Sequence, residues 1–588
     1  MRKSLIKSAI FLFGVFLAGH TWATKVQFPN PKLLLMPPNA QGERLYFVLL
    51  RTDFVRALGD AGEAPAVHPS DMRPTDDGRA WHRPDTRKMV RFLEREYQIT
   101  AIAMTSWIAP SLTAYLSEET LQALDNDPRV DTIELVTMPD NGTDFSSAPP
   151  WSDNTSGAEY ISYGKYAMDM NDNVTPTNKV YMLDAGLDAN GLAHVDLDAG
   201  NISQPSMGVS NCAPSATHSS AVASILAAEH GNNAGIKGVN NTSPVVVVRK
   251  GCDHVNAPTA MDWAAADMEA SGIFGVINMS ANSANYIDGT TAAKYIRKAS
   301  ARALFVQSAG NDGVDACTRA YSPTVVGDGI LVIGAVDQNG GRVPQFDYRG
   351  VPGGTLSSVG SNYGACVEGW APGQLIWIDW ADSTHTTRYM WSGTSFAAPH
   401  VAAMASRYGT SSTNPVIREA YIRSKLFSTG FTDPGTGGAI KVPSYTQAPL
   451  FTLPTKLTPA SLSVSSTYLT NVASNATDSN YFTTTWNSGV TPNYPSVQPY
   501  FQMDLGATKT LYSIRFMPSQ SPSGTSTHEV WVGNSNPPTT LAASITRNIM
   551  DGETMAATLA GFSARYVRVV TKSSPSWAAY YEVEVFGN

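Results

Sequence analysis

From residue 151 to residue 441 the chain alternates short apolar runs with helix-forming ones, and few architectures accept that rhythm. Strands are expected at 179–183, 244–249, 274–279, 303–307 and 331–336, with helices after His218, after Pro258 and at 292–301. Parallel strands cannot be joined by a tight turn, so a helix must carry the chain back between them. The pattern therefore predicts an α/β unit, a mostly parallel sheet with helices on both faces. In such sheets ligands gather beyond the carboxyl ends of the strands, which is where functional side chains are to be sought.

The flanks obey other rules. Residues 44–51 (RLYFVLLR), 100–108 and 130–136 read as strands, and 85–97 as a helix. Ser117-Glu118-Glu119-Thr120-Leu121 opens a second helix, since a serine N-cap and early acidic residues satisfy its free N–H groups, and Asp127-Pro128 closes it. An α+β unit of β-α-β-β-α-β order, ferredoxin-like, is thus complete before residue 136, with a polar insert between 51 and 85. A polar, Pro-rich stretch at 138–151 follows, a fit place for proteolytic nicking. Beyond Pro443 the pattern changes to closely spaced Ser/Thr-rich strands, the signature of an all-β sandwich.

A chain of 588 residues is too long for one core. Its first residues read as an export signal: Arg2, Lys3 and Lys7 precede an apolar run at 9–19, and Thr21-Trp22-Ala23 offers a cleavage site. That run is shorter than the roughly 20 residues a membrane span needs, so a secreted product without a transmembrane segment is expected. The expected divisions are a signal peptide at 1–23, the α+β unit at 24–145, the α/β unit at 146–441, a linker at 442–456 and the sandwich at 457–588. A net charge of -8 argues against a nucleic-acid partner held through phosphates. Four cysteines, Cys212, Cys252, Cys317 and Cys366, predict two disulfides in an oxidising compartment, with three pairings open; none forms the short CxxC pair of a zinc site.

The strongest chemical signal is Gly393-Thr394-Ser395-Phe396-Ala397-Ala398-Pro399. Small neighbours leave the serine hydroxyl open to a peptide, and a helix N-terminus favours developing negative charge. Upstream, Val180-Tyr181-Met182-Leu183-Asp184 is an apolar strand ending in an acid, and His218 begins a helix-forming run. Asn311 lies in Gln307-Ser308-Ala309-Gly310-Asn311, just after another strand, and Ile277-Asn278-Met279-Ser280-Ala281-Asn282 ends a third. The order Asp, His, Ser is that of subtilisin. Together these runs resemble the subtilases, the subtilisin and proteinase K superfamily of serine proteases.

That resemblance implies an endopeptidase in which Asp184 orients His218, His218 acts as general base and acid, Ser395 is the nucleophile, and Asn311 donates to the oxyanion. Ser280, Ala281, Asn282 and Gly310 would receive an extended peptide as an added strand, with Asn282 where the family usually has glycine. Ser219, Ser220 and Ala221 replace the family's Gly, Thr and His after the catalytic histidine. This departure supports a second reading, a glycan-binding surface protein with a vestigial protease domain. The cysteine contexts are similar to the proteinase K branch, especially aqualysin-type enzymes, and imply bridges 212 to 252 and 317 to 366. Glu368 matches a calcium-binding carboxylate of that branch, alongside carbonyls near Asp328 and Ile330.

The α+β unit resembles the inhibitory propeptide of subtilases, cut between 137 and 151. The sandwich resembles the discoidin, or coagulation-factor C-type, domain, whose members often bind glycans and hold a structural calcium. Asp478 and Glu582 match that calcium site, and Trp577 is placed to stack on a sugar. A monomer is expected, with a protein substrate, its own propeptide and a glycan as partners.

Overall fold

A computed structural model describes residues 25–27, 39, 41–66, 79–135, 154–156, 159–170, 178–197, 201–205, 216–241, 244–249, 256–281, 291–319, 325–351, 353–481, 483–492 and 496–588. The expected signal at 1–23 and the expected cut between 137 and 151 lie outside these residues. Among the described residues no helix is long and apolar enough to cross a membrane.

The central sheet has seven strands, ordered Gly369–Pro372, Ile330–Val336, Ala303–Ser308, Gly275–Met279, Val180–Asp184, Val245–Arg249, Ile202–Ser203, and every pair in it is parallel. Strands covered on both faces need apolar side chains at every position, which is why VYMLD and VVVVR read as unbroken runs. Helices Ala216–Ala227, Thr394–Ser406 and Pro415–Ser424 bury their apolar residues on one face. Helices Asn256–Ser271 and Thr291–Ala299 cover the other. After Val180–Asp184 the chain adds strands first to one side and then to the other, so a topological switch falls beside that strand.

The first domain is a five-stranded sheet, ordered Val26–Gln27, Val130–Leu135, Arg44–Leu50, Ser111–Leu116, Ala101–Thr105. Helices Pro84–Tyr97 and Glu118–Asn126 pack on one face with Val48, Leu93 and Leu124. On the other face Leu45, Phe47 and Leu49 join the core under helices Asn256–Ser271 and Thr291–Ala299. Part of the expected polar insert forms a helix, Thr52–Leu58, whose Val55 is buried.

The C-terminal unit is antiparallel throughout its pairings. Its long strand Tyr500–Pro518 belongs to both layers. The first half pairs with Ser461–Val464 and Ser563–Ser573, the second with Met555–Thr558 and Ala579–Gly587. Gly506, at φ +77°, stands at the register shift between the halves, in backbone that favours glycine. The expected linker at 442–456 is partly sheet, for Thr455 and Lys456 pair with Gly587 and Phe586.

Candidate active site

The sequence-predicted residues from distant parts of the central unit meet at the carboxyl edge of its sheet. Asp184 is the last residue of its strand and 1% exposed. Its Oδ1 accepts from His218 Nδ1 at 3.0 Å, which fixes the imidazole so that Nε2 faces away from the acid. The ring lies 5.9 Å, centroid to centroid, from both Trp391 and Phe396, so its other sides are packed by apolar rings. Ser219, the residue that departs from the family pattern, does not push the ring aside. It is fully buried, donates to Asp184 Oδ1 at 2.9 Å and accepts from the Gly186 N–H at 2.9 Å.

Ser395 stands in the first turn of Thr394–Ser406, two residues after Gly393, whose φ +152° and ψ 158° only glycine adopts readily. Pro399 sits in that helix two turns ahead of its end, between the buried Ala398 and His400. The first N–H groups of a helix have no partner in the regular helical pattern, and two of them are taken here, Thr394 by Asn311 Oδ1 and Phe396 by the Gly393 carbonyl at 3.1 Å. Ser395 Oγ donates to the Ser280 carbonyl at 3.2 Å, and no hydrogen bond joins it to His218. Ser280 grips the same turn a second time, since its hydroxyl donates to the Ser395 carbonyl at 2.7 Å and accepts from Asn278 Nδ2 at 3.0 Å.

Asn311 is held by a donor that admits one orientation. The Thr394 N–H and hydroxyl both donate to Asn311 Oδ1, at 2.9 and 2.8 Å. Since a backbone N–H can only donate, the amide oxygen must face it, and Nδ2 is turned toward Gly393. The Gly310 N–H donates to Thr394 Oγ1 at 3.0 Å, and the Gly310 carbonyl accepts from the Asn362 N–H at 2.8 Å, which locks the loop. Gly310 is thus tied to the scaffold through both backbone groups. Ala281 is half-buried next to Ser280, and Asn282 lies outside the described residues.

Residues 167–449 match the Subtilase family, and residues 460–583 match the F5/8 type C domain. The chain carries a subtilase domain followed by an F5/8 type C domain. Alkaline serine exoprotease A of Vibrio alginolyticus is 30% identical over 372 residues, 59% of this chain and 61% of that protein. Alkaline extracellular protease of Yarrowia lipolytica is 40% identical over 108 residues, 18% of this chain and 21% of that protein. The chain thus spans about three-fifths of the first relative and a fifth of the second. A crystal structure of a cold adapted subtilisin-like serine proteinase aligns with TM-score 0.37 at 23% identity, covering 47% of this chain and 92% of that one. The CBM32 of AlyQ in complex with 4,5-unsaturated mannuronic acid aligns with TM-score 0.20 at 22% identity, covering 22% and 98%.

In the subtilase domain Cys317 and Cys366 are joined, with Cα atoms 5.1 Å apart, close behind the Asn311 loop. Cys212 and Cys252 lie outside the described residues. The calcium expectation at Glu368 does not fit its surroundings. That buried carboxylate is ion-paired through Oε1 with Arg423 and accepts from the Val332 N–H through Oε2 at 3.1 Å, so a protein cation already neutralises it. Asp328 Oδ1 accepts from the Ile330 N–H at 2.9 Å.

The F5/8 type C domain repeats the pattern. Lys456 Nζ lies 2.9 Å from Glu582 Oε1 and 3.0 Å from Glu584 Oε1, while Asp478 accepts from Asn480 N and Thr484 Oγ1, each at 2.8 Å. An ammonium thus stands against the expected calcium carboxylate, and a second cation beside it would be repelled. Among the described residues no group of three or more His, Cys, Asp or Glu side chains is placed to hold a metal. Trp577 is 40% exposed, with its ring 4.8 Å from that of Tyr468, itself 40% exposed. Trp486 is core.

Proposed function

We propose that this chain is an exported serine endopeptidase, made as a self-inhibited proenzyme, that cuts peptide bonds through an acyl-enzyme on Ser395. The observation that carries the reading is the Asp184–His218 hydrogen bond of 3.0 Å beside the helix turn that bears Ser395.

His218 Nε2 takes the proton from Ser395 Oγ as the oxygen bonds to the substrate carbonyl carbon. Asp184 keeps the ring in the useful tautomer and stabilises the imidazolium without itself taking a proton. The carbonyl oxygen, now negative, accepts from Asn311 Nδ2 and the Ser395 N–H, both held by the scaffold before the charge appears. Protonated His218 then gives its proton to the leaving nitrogen, the C–N bond breaks, and water attacks the acyl group with His218 again as base. The substrate lies along residues 280–282 as an added strand.

Export is supported by the N-terminal signal pattern and by relatives named extracellular. The first domain acts as the inhibitory propeptide, and the paired rings of Tyr468 and Trp577 offer a surface on which a sugar stacks. The formed bridge between Cys317 and Cys366 supports placement in the proteinase K branch. The test is casein hydrolysis by the secreted chain. It should be abolished by a serine-directed inhibitor and absent in Ser395→Ala, with the wild-type N-terminus falling between residues 137 and 151. A matured preparation that cleaves no peptide bond would overturn the reading.

A further inference from the structure

Helix Thr291–Ala299 of the subtilase domain carries three cations, yet all nine of its residues are buried. Neither flanking domain covers it alone. At its N-terminus the Thr291 N–H donates to Glu134 Oε2 of the first domain at 3.0 Å, and Tyr295 OH lies 2.6 Å from Thr105 Oγ1 of the same domain. At its C-terminus Arg515 of the F5/8 type C domain donates to the carbonyls of Ser300 and Ala301, at 2.9 and 3.2 Å. Between them Lys294 donates to Asn548 Oδ1 at 2.6 Å, Arg297 pairs with Glu553, and Lys298 donates to the Asp551 carbonyl at 2.7 Å.

The two flanking domains also touch each other. The Ser523 N–H donates to both oxygens of Asp131, at 2.8 and 3.0 Å, and Ser521 Oγ donates to Asp53 Oδ1 at 2.8 Å. The Arg56 guanidinium sits 5.6 Å over the Tyr581 ring. A small cavity at this junction is lined from all three domains, by Val55, Ile108, Lys298 and Tyr581 among others.

We propose that the F5/8 type C domain is one wall of the propeptide's docking site, so that the first domain is gripped from two sides and leaves more slowly than the subtilase domain alone would allow. This rests on the reading of the first domain as a propeptide. A charge-assisted hydrogen bond such as that at Asp131 contributes enough to change a release rate about tenfold or more. The gripping residues Asp53, Arg56 and Asp131 depart with the propeptide, so changing them leaves the mature enzyme identical.

The experiment follows the full chain after secretion and measures the interval between self-cleavage, seen on gels, and the appearance of peptidase activity. Asp131→Ala should shorten that interval about tenfold with mature kcat unchanged. Asp53→Ala and Ser521→Ala, both at an exposed contact, should each shorten it modestly, and the double variant no further than either single one. A wild-type interval that Asp131→Ala leaves unaltered would overturn the proposal, as would effects of the Asp53 and Ser521 variants that multiply. A wild type with no interval at all would overturn the propeptide reading beneath it.

Discussion

Ser219 Oγ lies 2.9 Å from Asp184 Oδ1, the same oxygen that receives His218 Nδ1 at 3.0 Å. The Ala185 N–H donates to this oxygen too, at 2.7 Å, so three donors restrain the acid in the plane the histidine needs, and the Gly186 N–H in turn fixes Ser219. Hydrogen bonds to charged groups contribute about 1.5–3 kcal/mol. Ser219→Ala should therefore lower kcat roughly tenfold with KM little changed, and should also lower the melting temperature because the Gly186 amide is left without its partner. Steady-state kinetics on a folded Ser219→Ala sample check this, and an unchanged kcat would reduce Ser219 to a packing role.

Asn311 is oriented by a backbone donor, so its loss and its replacement by an acid should differ. Asn311→Ala removes one oxyanion donor and should cost roughly 100- to 1000-fold in kcat, the range such a donor contributes in subtilisin. Asn311→Asp keeps the acceptor that Thr394 requires but sets a carboxylate where negative charge develops, so its kcat should fall further than that of the alanine variant. Equal losses in the two would mean that Nδ2 does not face the reacting oxygen.

The apolar strands and the serine, histidine, aspartate and asparagine positions were legible because each is a local pattern. VYMLD is continuous since both faces of its strand are covered, and the Ser395 turn is spelled out in neighbouring small residues. Ser111–Leu116 was given no range although SLTAYL alternates polar and apolar residues, with Leu112, Ala114 and Leu116 in the first domain's core, whereas Ile202–Ser203 was hidden because two residues carry no period. The role of Ser219 depends on a partner 35 positions away, and that of Glu368 on Arg423, 55 positions away. Helix Thr291–Ala299 was not legible as buried, for TAAKYIRKA sets Lys294, Arg297 and Lys298 at i, i+3 and i+4 on one face, the pattern of a solvated side, and that face is covered by Asn548, Asp551 and Glu553 about 250 positions away.

Two buried histidines should make the protein acid-sensitive. Burial lowers His400, whose Nδ1 lies 2.6 Å from the Phe396 carbonyl, to about 4, and lowers His528, between Ser526 and Tyr580, to about 3. Both folded values lie below the unfolded value of about 6.5, so their contribution is full above pH 6.5 and is lost as pH falls toward the folded values. By pH 4 each should cost on the order of 3 kcal/mol. Unfolding of Ser395→Ala, which avoids self-digestion, should show stability falling between pH 6.5 and 4, and His528→Gln should make that fall shallower.

Arg423 supplies beside Glu368 the positive charge that a metal was expected to bring. Its Nη2 pairs with Glu368 and its Nε donates to Glu419 Oε1 at 2.6 Å, while Glu419 also accepts from the Gly327 and Gly329 N–H groups at 2.9 and 2.8 Å. The side chains of Glu368 and Glu419 are 1% and 0% exposed, so removing the arginine strands two neighbouring carboxylates away from water. Arg423→Met should cost about 3–5 kcal/mol. Burial already holds Glu368 above its unfolded value and Arg423 pulls it back down, so without the arginine the loss should be larger at pH 7 than at pH 5, where protonation of Glu368 relieves it. Adding Glu368→Gln should recover part of the melting temperature at pH 7, since only Glu419 then remains charged and two backbone donors already hold it. Thermal melts of the single and double variants in the Ser395→Ala background decide the matter: a deficit that does not shrink on acidification would mean that Arg423 acts through packing and not through its charge.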